Sequence, residues 1–302
     1  MSKGSVPTTK LPITFFDFLR LGKLTTAKRL YFYEFPSASH DFAHTIIPML
    51  KQSLSFTLQH FFPLAGNLIH GNSIPLNLLE SKADFNHLIG NHPRDLIEFE
   101  HLVQKLPPIH LSNDTFVFSL LALQATIFPN IGICIGITFL HLIHHFAFPV
   151  DCRNLLQFPA QIMYFGNCLA PCIAGAKKSE LLLENGMIVR VKAIENGISK
   201  LKPEPLEGAE TWMSDLDHVS KLGRILTVAG SPKLRPYETD FGWGRPKKTE
   251  VVHVNDPTGI TLNECGDEKD GIEVGVVLSK RAMDTFRSTF ARSLYLGPSS
   301  SL

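Results

Sequence analysis

With 302 residues, 44% of them hydrophobic and 19% charged, the chain has a globular composition that can bury about three quarters of its unfolded surface, and its length suggests about two domains. Its formal net charge is +1 with Lys and Arg scattered along the length, so it lacks the basic footprint that nucleic acid or an anionic membrane would require. Residues 1–7 carry no apolar signal-like run, no unbroken stretch of about eighteen apolar residues occurs, and the five cysteines include no CxxC pair, so a cytoplasmic protein with reduced core thiols is expected.

After a polar start, residues 11–21 gather Phe15, Phe16 and Phe18, and residues 30–35 alternate aromatic positions as a strand does. Residues 45–60 are predicted helical: Ile46, Ile47, Leu50, Leu54 and Leu58 form one stripe, Thr45 can cap it, and Pro48 falls in the first turn, where its missing N–H costs little. Residues 61–66 end that helix in an apolar run, and 67–75 form a turn-rich connection. Residues 76–79 and 116–128 are candidates for strand or short helix, with Pro107-Pro108 breaking the chain between them. Residues 131–138 are the clearest strand, because isoleucines fall on every second residue with small residues between; one face is core and the other lets something approach closely. This strand leads into His141, His144 and His145, the dense histidine cluster of the chain.

Residues 146–152 form another short apolar run and 164–172 a turn-containing one. Residues 179–201 read as a helix with Ile188, Val191, Ile198 and Leu201 on one side, and with Gly186 and Gly197 fraying its ends. Residues 202–208 are a Pro- and Glu-rich surface connection. Ile272, Val274, Val276 and Leu278 alternate as a strand, after which Ser279 caps a helix bearing Met283, Phe286, Phe290 and Leu294. The sequence contains no internal repeat.

The stretch Tyr237-Glu238-Thr239-Asp240-Phe241-Gly242-Trp243-Gly244-Arg245-Pro246 has a different character. Gly242 and Gly244 free the backbone on either side of Trp243 and Pro246 removes a donor, so this is a shaped loop. If its two rings pack inward, the Asp240 carboxylate goes with them and needs a cation or several N–H donors. Asp-Phe-Gly-Trp-Gly resembles the signature loop of the plant BAHD acyltransferases, which move acyl groups from coenzyme A thioesters to alcohols or amines. In order along the chain, Thr14-Phe15-Phe16-Asp17, Tyr31-Phe32-Tyr33-Glu34-Phe35-Pro36, Phe61-Phe62-Pro63-Leu64-Ala65-Gly66 and Tyr164-Phe165-Gly166-Asn167-Cys168 resemble the anthocyanin and phenolic-glucoside malonyltransferase branch.

The resemblance implies an α/β fold: the two-domain coenzyme A-dependent acyltransferase fold, chloramphenicol acetyltransferase-like, of mixed sheets with helices. It is truncated here, with an N-terminal domain over residues 1–145, a C-terminal domain over 146–302 carrying the loop, and a solvent channel between them. Malonyl-CoA or another acyl-CoA is the implied co-substrate, and a sugar hydroxyl of a glycosylated phenolic or flavonoid the implied acceptor. No bound cofactor, no metal and a monomer are expected.

Acyl transfer to an alcohol needs a base beside the acceptor oxygen, and histidine has the pKa for it. In the family the base stands in a His-x-x-x-Asp-Gly motif after a strand like 131–138, and aligned by that strand His145 falls on the base. There the motif breaks: Pro149 stands four residues after His145, Phe148 after His144, and His145 itself after His141. Asp151 belongs to Phe146-Ala147-Phe148-Pro149-Val150-Asp151-Cys152-Arg153, which resembles a family segment normally far downstream, in the second domain. The chain is therefore expected to pass from His145 straight into that domain, omitting a large internal segment. The same resemblance ties Asp240 to Arg153, as structural support for Phe241, Gly242, Trp243 and Gly244.

Severely reduced activity or none follows, and the rival reading is a non-catalytic remnant that at most binds coenzyme A or a partner. His141, His144, His145 and Cys152 offer N and S ligands, but such histidines at a strand end point in divergent directions, so they are read as no metal site. Arg245, Lys247 and Lys248 could meet coenzyme A phosphates and are read as a solvated face.

Overall fold

The computed structural model describes residues 25–36, 42–60, 74–108, 110–112, 115–117, 119–141, 148–153, 155, 168–172, 174–176, 180, 185–201, 206–212, 214–215, 218, 227–252, 259–268 and 270–296. Two compact units divide the chain, and neither is continuous. The first holds Met1–Ile143, Ser231–Val254 and Asn263–Glu273; the second holds His144–Gly230, Asn255–Leu262 and Val274–Leu302.

In the first unit, β1 (Thr25–Glu34) alternates as its aromatic residues predict: Leu30 and Phe32 enter one core, Tyr31 and Tyr33 the other. The predicted helix at 45–60 begins differently from expectation. Phe42–Ile46 form a π-helical turn and α1 runs over Ile47–His60, so Thr45 lies inside the turn rather than capping the helix. Phe42 and Ile47 are buried against the Tyr33 side of the sheet, with Leu50 behind them.

β2 (Leu76–Glu80) is followed by two short helices whose starts are set by aspartates. Asp84 accepts the His87 N–H ahead of α2 (Phe85–Ile89), and Asp95 accepts the Ile97 N–H ahead of α3 (Ile97–Glu100) while Glu98 takes the Asp95 N–H in return. These helices bring Phe85, Leu88 and Phe99 onto the Leu30 side of the sheet. A small antiparallel pair, β3 (His110–Ser112) with β4 (Thr115–Val117), precedes β5 (Leu121–Phe128) and β6 (Gly132–His141), so within 116–128 residues 116–117 and 121–128 are strand.

β6 is buried on both faces. Ile133 and Ile135 pack with Tyr33, Ala125 and Ile127, while Cys134 joins Leu30, Phe32, Phe99 and Leu102. Gly136, between the isoleucines, is small because the backbone of the α3 end comes close. A Cβ on Gly136 would stand 2.1 Å from the Leu102 carbonyl oxygen, and the Gln124 amide donates to the adjacent His101 carbonyl at 2.6 Å, holding that turn down. The second face therefore does admit a close approach, and what approaches is core. β6 pairs antiparallel with β1 from Thr25↔His141 to Glu34↔Gly132 and with β5 from Leu121↔Phe139 to Phe128↔Gly132. With β10 (Lys248–Val251) the sheet reads β10-β1-β6-β5-β2.

In the second unit, β7 (Phe148–Asp151) and β8 (Leu169–Cys172) form an antiparallel hairpin in which Pro149 faces Pro171. Neither proline has an N–H to give, so this position exchanges no ladder bonds, and the positions on either side of it do. α4 (Gly186–Leu201) runs through Gly197 without breaking. β9 (Thr227–Ala229) pairs in parallel with residues 259–261 of β11 (Gly259–Glu264), and the small sheet is completed by β12 (Ile272–Val276); the last two residues of β11 and the first two of β12 are assigned to the first unit. Ser279 caps α5 (Lys280–Leu296) as predicted, accepting the Ala282 N–H at 3.4 Å.

The segment carrying the signature loop sits in the first unit, because β10 pairs with β1 from Arg29↔Val251 to Phe32↔Lys248.

Candidate functional site

The loop is anchored before it is shaped. Arg235 adopts a left-handed conformation with φ 45° and turns the chain into a single 3-10 turn at Pro236–Glu238. That turn delivers Tyr237 into the interior, where its N–H donates to Glu264 Oε1 at 2.8 Å and its hydroxyl to Glu273 Oε2 at 2.8 Å. The Thr249 N–H donates to the same hydroxyl at 3.3 Å, which fixes the turn to β10. Glu273 also accepts from Lys248 Nζ, which donates to Asn91 Oδ1 at 2.8 Å as well. Lys248 is thus a buried ion-pair partner, contrary to the solvated role expected for it, whereas Arg245 and Lys247 are exposed. Burial and then the Glu273 carboxylate hold the Tyr237 phenol well above its ordinary range.

From this anchor the loop closes on its own aspartate. Asp240 Oδ1 accepts the backbone N–H groups of Gly242 at 2.7 Å, Trp243 at 3.0 Å and Gly244 at 2.9 Å. Three successive donors converge on one oxygen because Gly242 and Gly244 take φ of 94° and 86°, values that a side chain would strain. The need for several N–H donors, inferred from the sequence, is met within the loop, and the carboxylate is exposed rather than half-buried. Trp243 stands edge-on to Tyr33 with ring centres 5.6 Å apart and lies 5.9 Å from Phe35; Phe241 meets Tyr33 at 5.8 Å. The Tyr33 hydroxyl donates to the Thr239 carbonyl at 3.0 Å. Burial, then Tyr31 and Asp240, raise the Tyr33 phenol as well.

His145 lies outside the described residues, as do His144 and the stretches 14–17, 61–66 and 164–167; the described strand that leads to it ends at His141, paired with Thr25. Four residues after His145, where the motif aspartate would stand, Pro149 is part of β7. Arg153 belongs to the second unit, where its Nη1 donates to Asp151 Oδ2 at 2.8 Å, while Asp240 belongs to the first. Sequence reasoning missed Tyr33, Tyr237, Glu264 and Glu273. Tyr33 and Tyr237 lie inside the motifs that were singled out, but no local pattern links residue 33 to residue 243 or residue 237 to residue 273.

A profile of the Transferase family matches residues 2–147 and again residues 143–293. Among curated relatives, a malonyl-coenzyme:anthocyanin 5-O-glucoside-6'''-O-malonyltransferase of Salvia splendens is 27% identical over 424 aligned positions, covering 94% of this chain and 91% of the relative. Phenolic glucoside malonyltransferase 1 of Nicotiana tabacum is 27% identical, with 86% of this chain and 89% of the relative covered. The crystal structure of vinorine synthase matches with TM-score 0.68 at 16% identity over 93% of each chain. That of F. sporotrichioides TRI101 complexed with coenzyme A and T-2 matches with TM-score 0.62 at 12% identity, over 88% of this chain and 93% of that one. The 424 positions aligned with the Salvia relative exceed the 302 residues here, so at least 122 of them (424 less 302) have no counterpart in this chain. The two profile matches meet at 143–147, the stretch where the histidine motif breaks.

Proposed function

The chain belongs to the Transferase family of BAHD acyltransferases, and from that membership we propose that it is an acyl-CoA-dependent O-acyltransferase of severely reduced rate. Its donor is malonyl-CoA and its acceptor a sugar hydroxyl of a phenolic or anthocyanin glucoside. The observation that carries this reading is the family match on both sides of the junction at 143–147. The names of the relatives support the choice of donor and acceptor.

In the proposed reaction the His145 imidazole takes the hydroxyl proton as the acceptor oxygen bonds to the thioester carbonyl. The C–S bond then breaks, and the proton passes to the departing thiolate to give free coenzyme A. The thioester is already activated, so the scheme calls for no metal. A positioned base contributes roughly 10²–10⁴ in rate, about 3–5 kcal/mol, and a base without its orienting aspartate forfeits much of that. Lacking at least 122 of the positions aligned with the Salvia relative also weakens substrate positioning in this reading.

The test is product formation by the purified chain with malonyl-CoA and an anthocyanin glucoside, beside His145→Ala. A slow, His145-dependent transfer is expected. A turnover near the roughly 10 s⁻¹ of ordinary enzymes would refute the impairment. A second reading, a non-catalytic remnant, is favoured by Pro149 standing where the aspartate belongs; it wins if the folded chain makes no more product than His145→Ala.

A further inference from the structure

Two thiols of the second unit face each other across the β7–β8 hairpin, and the acyl-transfer scheme uses neither. The register runs from Phe148↔Cys172 to Asp151↔Leu169, and its next step sets Cys152 opposite Cys168, where the Cys152 N–H donates to the Cys168 carbonyl at 2.9 Å. Directly opposed residues project to the same face of an antiparallel pair. Both side chains are buried, Cys152 at 0% and Cys168 at 1% exposure, and both are free thiols. Because Pro149 and Pro171 occupy a position without ladder bonds, alternation puts Cys152 and Cys168 on a hydrogen-bonded position. The Cα atoms of such a pair stand about 5.5 Å apart. A disulfide requires a Cα separation of about 4.4–6.8 Å, so these backbones are already in place for one. Cys172 is on the same face but four residues along the strand from Cys168, about 13 Å away and beyond that reach.

We propose that Cys152 and Cys168 are a modification site, a cross-strand dithiol that closes to an intrachain disulfide when a low-molecular-weight disulfide such as oxidised glutathione supplies the oxidising equivalents. One cysteine sulfur, as thiolate, attacks the glutathione disulfide and expels one glutathione, leaving a mixed disulfide on the protein. The facing cysteine gives up its proton and displaces the second glutathione. Overall, two protein S–H bonds and one glutathione S–S bond become one protein S–S bond and two glutathione thiols.

Burial sets the rate rather than the outcome. It pushes the Cys152 thiol up to about 11 and raises Cys168, while the Arg153 guanidinium works in the opposite direction on both. Thiolate is therefore scarce in the closed hairpin, and exchange proceeds through its local openings. The bond would fasten the strand bearing Asp151 and Arg153 to the start of β8.

The pairing does not rest on the catalytic reading, and its test needs no substrate. The full chain is equilibrated in glutathione buffers from mainly thiol to mainly disulfide, quenched by alkylation, denatured and mapped by peptide mass. The expected result is a fall from the five thiols of the reduced chain to three, with a cross-linked peptide joining Cys152 to Cys168 and lighter by two hydrogens. A chain carrying Cys134→Ser, Cys172→Ser and Cys265→Ser should form the same cross-link, and Cys168→Ser should form none. The proposal is overturned if both residues of the wild-type chain are recovered singly alkylated or glutathionylated under the most oxidising buffer, or if the cross-link uses another cysteine.

Discussion

The Tyr33 ring stands edge-on to the Trp243 indole at 5.6 Å and 78°, while its hydroxyl donates to the Thr239 carbonyl at 3.0 Å, so one side chain of β1 grips the signature loop at two points. Removing only the hydroxyl should cost about 0.5–1.5 kcal/mol, and removing the ring about 3–5 kcal/mol. Tyr33→Phe and Tyr33→Ala separate these in urea unfolding. With only two tryptophans in the chain, a Trp212→Phe background lets Trp243 fluorescence report the loop directly. Its emission should shift to longer wavelength in Tyr33→Ala and hold in Tyr33→Phe; an unchanged emission in both would mean that β1 does not seat the loop.

Asp240 shapes the loop through one oxygen that takes three N–H groups. Asp240→Asn keeps an acceptor and loses the charge, while Asp240→Ala loses both, as at a helix cap. We expect Asp240→Ala to cost about 1–2 kcal/mol and Asp240→Asn roughly half of that. Equal losses in thermal unfolding would argue that charge, rather than loop closure, is what this position supplies.

What could be read in the sequence follows the range of the interaction. β1 and β6 were legible because alternation of Leu30 with Phe32 and of Ile133 with Ile135 is a property of one strand, and the Ser279 cap because it acts over three residues. The glycines around Trp243 announced a shaped loop for the same reason. Illegible were the partners: Lys248 looks solvated beside Arg245 and Lys247, and only the fold brings Glu273 and Asn91 to it. β10 completing the first sheet is a long-range pairing of the same kind, which no local pattern encodes.

Gly136 is fixed by space rather than by conformation. An added Cβ would meet the Leu102 carbonyl oxygen at 2.1 Å, and that oxygen is backbone in a turn held by Gln124. Gly136→Ala should therefore destabilise by about 1–3 kcal/mol or more as the α3 end is pushed off the sheet. Gly175→Ala, with nothing within 4 Å of the added atom, is the control and should leave the urea midpoint in place. A Gly136→Ala midpoint equal to that of Gly175→Ala would sink the packing argument.

Two buried phenols predict how stability falls in alkali. Burial comes first for both, and Tyr31 with Asp240, or Glu273, adds to it, so Tyr33 and Tyr237 hold their protons more tightly folded than unfolded. The folded state then binds more protons above the unfolded phenol value of about 10, and stability must fall with rising pH there, having been fully present below it. Tyr237→Phe should lower Tm at neutral pH, through loss of the hydroxyl's bonds, yet flatten the decline above about pH 10. A mutant whose Tm falls as steeply as the wild type would exclude Tyr237 as a source of the alkaline loss.

α4 tests whether its apolar stripe meets protein at all. Ile188 and Val191, which the 3.6-residue spacing assigns to a core-facing side, are 56% and 57% exposed, with Met187 and Ile194 beside them at 66% and 45%. A contiguous stripe of this kind is unusual on a protein surface, and the alignment with the Salvia relative includes at least 122 positions that this chain lacks. Ile188→Glu and Val191→Lys should each change unfolding free energy by no more than about 0.5 kcal/mol while lowering the binding of an apolar fluorescent dye. Leu30→Ala, fully buried in the cluster that α2 and α3 form on the sheet, should cost about 2–5 kcal/mol in the same assay. If Ile188→Glu proved as damaging as Leu30→Ala, the stripe would have to be covered in solution, and the exposed face of α4 would be the wrong description of this unit.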